Sequence, residues 1–217
     1  MKCLLINYNR LTLPVNMANW LFEHGIDPVF IDNGSNYQML HEYYNNACPY
    51  QVVRLKGNYG HTVTWIPELG ILDMLGITGE YMVSDPDLDL TGAPDDFLSV
   101  LQEGLRKYPT YDKCALSLEI NDLPHSEEGD FIRLKAEARY WKNPLDSRYF
   151  HADTDTTIAL YRAGVRHYSH SAIRTNRPYT CKHVPWYYTD FNLLSEEEQY
   201  YFRSANESSS GKKRLLK

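Results

Sequence analysis

Short apolar runs alternate with segments of helical periodicity along the first 120 residues. Lys2 to Tyr8 reads as a first strand, where Cys3, Leu4, Leu5 and Ile6 give way to the polar Asn7-Tyr8-Asn9-Arg10. Leu11, Val15, Ala18 and Phe22 then recur at helical spacing, and Gly25 can end that helix. Pro28-Val29-Phe30-Ile31 is a second short strand, stopped by the turn signal Asp32-Asn33-Gly34-Ser35. A helix is expected over 37–44. A third strand over 51–55 ends in the glycine-rich turn Lys56-Gly57-Asn58-Tyr59-Gly60. The next helix is expected over 61–75, with Pro67 near its start or kinking it. Tyr81-Met82-Val83-Ser84 is a fourth strand. Pro94 suits a first helical position, Asp95 and Asp96 complement the dipole of the helix they open, and Phe97, Val100, Leu101 and Leu105 supply its apolar face. A fifth strand is expected over 113–120.

Alternation of strand and helix predicts an α/β fold, with a mostly parallel central sheet covered by helices on both faces. Ligands of such open sheets bind beyond the carboxyl ends of the strands. The segments 7–10, 32–35, 57–60 and 85–89 are polar or glycine-rich and should all lie there. After Asn121 the pattern loosens. A loop is expected over 123–128, a helix or irregular segment over 131–141, and a strand over 156–162 introduced by Asp153-Thr154-Asp155. Ser195 and Glu198 form a capping box that starts a helix through Tyr201. Residues 1–206 are expected to form one domain and the small, polar, finally basic stretch 207–217 a disordered tail. No internal repeat or dividing linker is evident.

The fourth strand delivers Asp85, Asp87 and Asp89. Alternate residues of an extended chain point the same way, so these carboxylates converge, and a hard divalent cation would relieve their repulsion. An EF-hand loop does not fit: Leu90 stands where glycine is needed, Asp96 where a bidentate glutamate is needed, and Pro94 lies inside. A solvated turn without ligand is the plain alternative.

With 217 residues the chain can bury a sizeable core. A net charge of −6 argues against a general nucleic-acid binder and against a polybasic membrane protein. The 18 tyrosines suit sugars and bases but also simply pack. Cys3, Cys48, Cys114 and Cys181 are scattered without a CxxC pair, which favours reduced thiols over a zinc site or disulfides. The apolar run at the N-terminus is too short for a signal peptide and no stretch is long enough to span a bilayer, so a cytoplasmic protein without a transmembrane segment is expected.

The ordered motifs Tyr8-Asn9-Arg10, Asp32-Asn33-Gly34-Ser35, Asn58-Tyr59-Gly60 and Asp85-Pro86-Asp87 resemble those of nucleotide-sugar-dependent glycosyltransferases of the GT-A (Rossmann-like) fold, family 2-type members above all. The likeness covers about the first 120 residues; Asp153 to Thr157 and His183 to Tyr187 also look like segments of small GT-A enzymes, and by length and layout the chain resembles a small chlorovirus-type glycosyltransferase domain. The resemblance implies a donor half over 1–120 and an acceptor half over 121–206. It implies that Tyr8, Asn9 and Arg10 flank the base and diphosphate, that Asp32 accepts from N3–H of uracil, and that Asn58 and Gly60 let backbone approach the nucleotide. Asp85 and Asp87 match the family's Asp-x-Asp motif, with Asp85 on ribose or ion and Asp87 on the ion. His183 would be a third ligand to Mn²⁺ or Mg²⁺. The donor would be a UDP-sugar and the acceptor a glycan, polysaccharide or other hydroxyl compound.

An inverting enzyme needs a base on the acceptor. Glu119, Asp122, Glu137, Asp153 and Asp155 are candidates, with Asp155 first and Glu137 second. The Glu-Asp pair and Gln-x-x-Arg-Trp segment of family 2 are missing, which leaves stereochemistry open. A non-catalytic nucleotide-sugar-binding protein and a nucleotidyltransferase are the rival readings. The absence of glycine from Asn9-Arg10-Leu11-Thr12 weighs against the second.

Overall fold

The computed structural model describes residues 1–206, 209 and 212–216. Its central sheet has eight strands. They are β1 (Lys2–Asn7), β2 (Asp27–Asp32), β3 (Gln51–Arg54), β4 (Tyr81–Ser84), β6 (Lys113–Ala115), β8 (Tyr149–His151), β9 (Ala159–Tyr161) and β10 (Ala172–Thr175). The spatial order is β3-β2-β1-β4-β9-β6-β10-β8. Strands β1 to β4, β6 and β10 run the same way, and β8 and β9 run against them. A smaller sheet of β5 (Leu88–Asp89), β11 (Thr180–His183) and β7 (Ser117–Leu118) stands beside it.

The mostly parallel sheet covered on both faces is the architecture expected from the sequence. Residues that alternate along each strand enter opposite cores. Cys3, Leu5, Phe30, Met82, Cys114 and Leu160 pack under α1 (Thr12–Glu23), α2 (Gln38–Asn46) and α4 (Phe97–Lys107). Leu4, Ile6, Val29, Ile31, Val83 and Tyr161 pack against Val63, Trp65, Ile71 and Leu72 on the other face. The four cysteines are free thiols.

Several expected elements come out differently. The helix expected over 61–75 is broken into 3-10 turns at Val63–Trp65 and Pro67–Leu69 and a single turn, α3 (Ile71–Met74). Pro67 starts the second of these, and Gly70 in the left-handed region, at φ 55°, re-aims the chain into α3. The strand expected over 113–120 is cut in two, because β7 leaves the central sheet to pair with β11. The strand expected over 156–162 shortens to β9. Helix α4 begins at Phe97 rather than at Pro94, and Asp96 at its cap position turns its side chain away from the helix amides to accept from Tyr179 hydroxyl. The irregular option holds over 131–141: α5 (Glu127–Phe131) runs into a π-helical turn at Ile132–Ala136 and a 3-10 turn at Ala138–Trp141. Helix α6 (Glu196–Ser204) extends past Tyr201, and a last turn, α7 (Lys212–Leu215), falls within the stretch expected to be disordered. Residues 207, 208, 210, 211 and 217 of that stretch lie outside the described residues. Among the described residues no helix is long and apolar enough to cross a membrane.

Candidate functional site

The carboxyl ends of β1 and β4 open onto a cleft of about 560 Å³, lined among others by Tyr8, Arg10, Asn33, Asn58, Gly60, Asp85 and Asp87. Because β9 runs antiparallel to β4, the chain that precedes it arrives at the same end and contributes Asp155, Thr156 and Thr157. Glu137, Arg139, Tyr140, Arg174, His183, Trp186 and Tyr201 close the remaining sides.

Asp87 sits at the centre of the charge arrangement. Its Oδ2 lies 2.5 Å from Arg10 Nη1 and 3.6 Å from His183 Nε2. The contact with His183 follows from the small sheet, in which His183 pairs with Leu88 and the Val184 amide donates to the Asp87 carbonyl at 3.0 Å. Burial alone would raise the Asp87 carboxyl, but His183 and Arg10 hold it below the usual carboxylate range. Burial holds the His183 imidazole below its own ordinary value, so at neutral pH Arg10 is the cation that meets Asp87. Asp85 behaves oppositely: burial, with the Asp87 charge beside it, pushes its carboxyl up to about 7. Thr156 hydroxyl donates to Asp85 Oδ2 at 2.5 Å, and the Asp85 amide donates to the Thr156 carbonyl at 2.6 Å.

Arg10 is buried and held on every side. Its Nε and Nη2 donate to the two carboxylate oxygens of Glu198 at 2.9 and 3.0 Å, and its Cζ lies 3.5 Å from the centre of the Tyr201 ring. Arg10 is therefore a buried structural cation and not a surface side chain. Ser195 Oγ accepts from the Glu198 amide at 3.2 Å, as the capping box requires. The Glu198 carboxylate does not complete that box. It reaches Arg10, because a buried guanidinium offers a charge-assisted fork and a cap amide only one neutral donor.

Asn9 and Asp32 are not among the cleft-lining residues, though both shape it. Asp32 is buried, and its Oδ1 accepts from the Ser35 amide at 3.2 Å, closing the turn after β2. Asn9 adopts φ 52°, and its Oδ1 accepts from the amides of Asn36 and Tyr37 while its Nδ2 donates to Ser204. Asn33 joins the two glycine-bearing turns: its Nδ2 donates to Asn58 Oδ1 and the Gly60 carbonyl, and its Oδ1 accepts from the Tyr59 amide. Gly34 stands so close to Gly57 that a Cβ there would lie 2.5 Å from a backbone carbon.

Of the five candidate bases, Glu137 and Asp155 line the cleft and the others do not. Glu119 is gripped by Arg177, Asp122 by Lys182 and Tyr187, and Asp153 by His170. Glu137 is buried against Arg174, and burial pushes its carboxyl up against the pull of that guanidinium. Asp155 is open to solvent and accepts from Tyr168 hydroxyl at 3.0 Å. Asp89 turns away to cap Thr91, accepting from its amide and hydroxyl. Arg139 and Arg174 both lie over the Tyr140 ring, at 4.6 and 4.2 Å.

Among the described residues, no three His, Cys, Asp or Glu side chains are grouped to hold a metal ion. Two buried atoms at the site have no hydrogen-bond partner there, Asp87 Oδ1 and His183 Nδ1. A carboxylate oxygen left unmatched in a cleft fits a hard cation that takes its remaining ligands from substrate oxygens and water, which is the habit of Mg²⁺ at phosphates. The donor set therefore fits an ion shared with a ligand better than one caged by protein alone.

Thr156, Arg174, Glu198 and Tyr201 were not singled out as site residues by sequence. Thr156 belongs to the polar segment before β9 and Glu198 to the capping box of α6, but only the fold brings either to the acids. No protein-family model matches the chain, and no curated protein matches it. Among solved structures, the crystal structure of S. aureus TarS 1-349 matches with 14% identity and a TM-score of 0.40, over 74% of this chain and 46% of that one. A likeness of that size carries no argument about activity.

Proposed function

We propose that the protein is a metal-dependent glycosyltransferase that moves a sugar from a UDP-sugar or other nucleotide-sugar donor to a hydroxyl of a glycan or other acceptor. The observation that carries the reading is Asp87: a buried, cleft-lining carboxylate at the carboxyl end of the sheet, with one oxygen matched by Arg10 and the other left without a partner. Mn²⁺ or Mg²⁺ would be held by Asp87, with Asp85 and His183 beside it, and would supply a Lewis acid at the departing diphosphate. The base would lie toward Tyr8, Asn33 and Asn58, over the turn that Asp32 closes. A planar ring can rest on Tyr8, and Asn33 and Asn58 offer amide groups to it.

Arg10 matches one oxygen of Asp87 and is itself balanced by Glu198, so the positive charge that meets a diphosphate here would come from the bound cation. At the acceptor end, Asp155 is the better placed base for an inverting transfer, being open to solvent with no Lys or Arg among the described residues paired to its carboxylate; the His61 ring lies 3.6 Å away. Glu137 is neutralised by Arg174 and serves to hold that arginine. The test is donor hydrolysis and transfer by Asp87→Ala, assayed with UDP-sugars and Mn²⁺ alongside the unaltered protein. Loss of turnover in a folded variant supports the reading, and equal turnover in both refutes it. Tight UDP binding by the unaltered protein with no turnover of any donor would instead favour a binding protein.

A further inference from the structure

Lys113 lies on β6 beside Tyr161 of β9 and is fully buried. No carboxylate of the described residues is within ion-pairing distance of its ammonium. Its Nζ donates instead to the carbonyl oxygens of Thr154, at 2.5 Å, and Asp155, at 3.2 Å, and lies 3.4 Å from Tyr161 hydroxyl. The Tyr161 and Tyr168 rings flank it at 5.4 and 5.0 Å. A lysine buried this way is costly unless its donors are used, and here they are used on backbone.

The segment it reaches is the one that enters the cleft. Arg174 Nε donates to the Asp153 carbonyl at 2.7 Å, Lys113 takes the next two carbonyls, and the Asp85 amide takes that of Thr156. Four successive carbonyls are thus turned toward the sheet, and the third and fourth are adjacent to the bond from Thr156 hydroxyl to Asp85. Without a donor under Thr154 and Asp155, the carbonyls of this segment would be held only at its two ends, by Arg174 at Asp153 and by the Asp85 amide at Thr156.

We propose that Lys113 is a positioning residue: its buried ammonium holds segment 153–157 in the conformation that lets Thr156 donate to Asp85, and it acts on the cleft only through that bond. Its effect on turnover rests on the glycosyltransferase reading, whereas its effect on the segment does not.

Lys113→Met tests this in the full chain. The exchange relieves a buried charge but leaves the Thr154 and Asp155 carbonyls without their donor, and a thermal melt records whether the variant stays folded. Amide hydrogen exchange of Asp85, whose N–H is bonded to the Thr156 carbonyl, is the first readout. It should be slow in the unaltered protein and at least about tenfold faster in Lys113→Met, with β1 and β2 amides unchanged. Fast exchange in the unaltered protein, or unchanged exchange in a folded variant, overturns the proposal. Lys113→Gln, which keeps an uncharged donor, should fall between the two, and it provides the comparison if Lys113→Met does not fold.

The second readout is a double-mutant cycle on kcat with Thr156→Val. If Lys113 acts through Thr156, Lys113→Met should cost little more in the Thr156→Val background. Additive losses would mean that Lys113 acts by another route and would overturn the proposal. Absence of nucleotide-sugar turnover in the unaltered protein would refute the proposed function alone, since the exchange experiment needs no turnover.

Discussion

The pair between Arg10 and Glu198 should carry much of the attachment of α6, and Glu198→Gln isolates it. The substitution keeps the shape of the side chain but removes its charge and sets an NH₂ group against one arm of the guanidinium fork. Two charge-assisted bonds are affected, each worth about 1.5–3 kcal/mol where one partner is charged. Removing one member of a buried ion pair costs about 3–5 kcal/mol in general. Arg10 keeps Asp87 at 2.5 Å and the Tyr201 ring at 3.5 Å, so the guanidinium is not stranded and the lower figure applies. The expected loss is about 3 kcal/mol, or roughly 6–12 °C in Tm for a domain of this size.

Urea unfolding at constant pH measures the loss, provided the slope of free energy against urea is unchanged. Glu197→Gln is the control. Its carboxylate accepts from the amides of Leu11 and Thr12 and from Thr12 hydroxyl, capping α1 from α6, and a lost cap costs about 0.5–2 kcal/mol. The coupling is then read from Arg10→Met alone and combined with Glu198→Gln. The double variant should be less destabilised than the sum of the singles, because Glu198 is uncompensated only once Arg10 is gone. A Glu198→Gln loss below about 1 kcal/mol, or strict additivity, would refute the pair's role.

Chelation of divalent ions should abolish turnover, and added Mn²⁺ should restore it; turnover that persists in excess chelator contradicts a role for the ion at Asp87. Gly34→Ala should cost about 2–4 kcal/mol in urea unfolding, since it adds left-handed strain at φ 74° to a 2.5 Å clash with Gly57 backbone. A near-neutral result would mean that the 33–34 and 57–60 turns are not in contact. Burial, opposed by Asp153, Asp155 and Asp112, pushes the Lys113 ammonium down to about 8 from an ordinary 10.5. Between those values the unfolded chain holds the proton that the folded chain has lost. Stability therefore rises with pH across that window, by up to about 1.4 kcal/mol per unit. The stability of Lys113→Met relative to the unaltered protein should accordingly shrink between pH 7 and pH 9.5, and a constant difference would contradict the shift.

The strand ends were legible because each apolar run is short, buried on both faces and followed at once by residues that cannot continue a sheet. Asp32-Asn33-Gly34 and Pro86 carry that signal locally, and the sheet then sets their common end by topology alone. The helix over 61–75 was not legible, since helical periodicity says nothing about how Pro67 and Gly70 divide a run between them. Nor was the split of 113–120 into β6 and β7, which depends on a partner strand some sixty residues later. Candidate ligands fared by the same rule. Asp85 and Asp87 announce themselves by spacing, whereas the contact between His183 and Asp87 exists only because β11 pairs with β5.

That dependence bears on how the chain divides its labour. The motifs of the first 120 residues furnish Asp87 and Arg10, but they do not furnish the surroundings that set their charge. Arg10 is neutralised and aimed by Glu198 and covered by Tyr201, both on α6, and Asp87 meets His183 from β11. Asp85 takes its hydrogen bond from Thr156, just before β9. A boundary near residue 120 therefore separates the motifs from the groups that tune them. Were the first 120 residues to stand alone, Arg10 would lose its fork with Glu198, and Asp87 and Asp85 would sit at an open sheet edge with their charges unscreened by protein. The charge arrangement of this cleft depends on Thr156, His183, Glu198 and Tyr201 as directly as on the acids themselves.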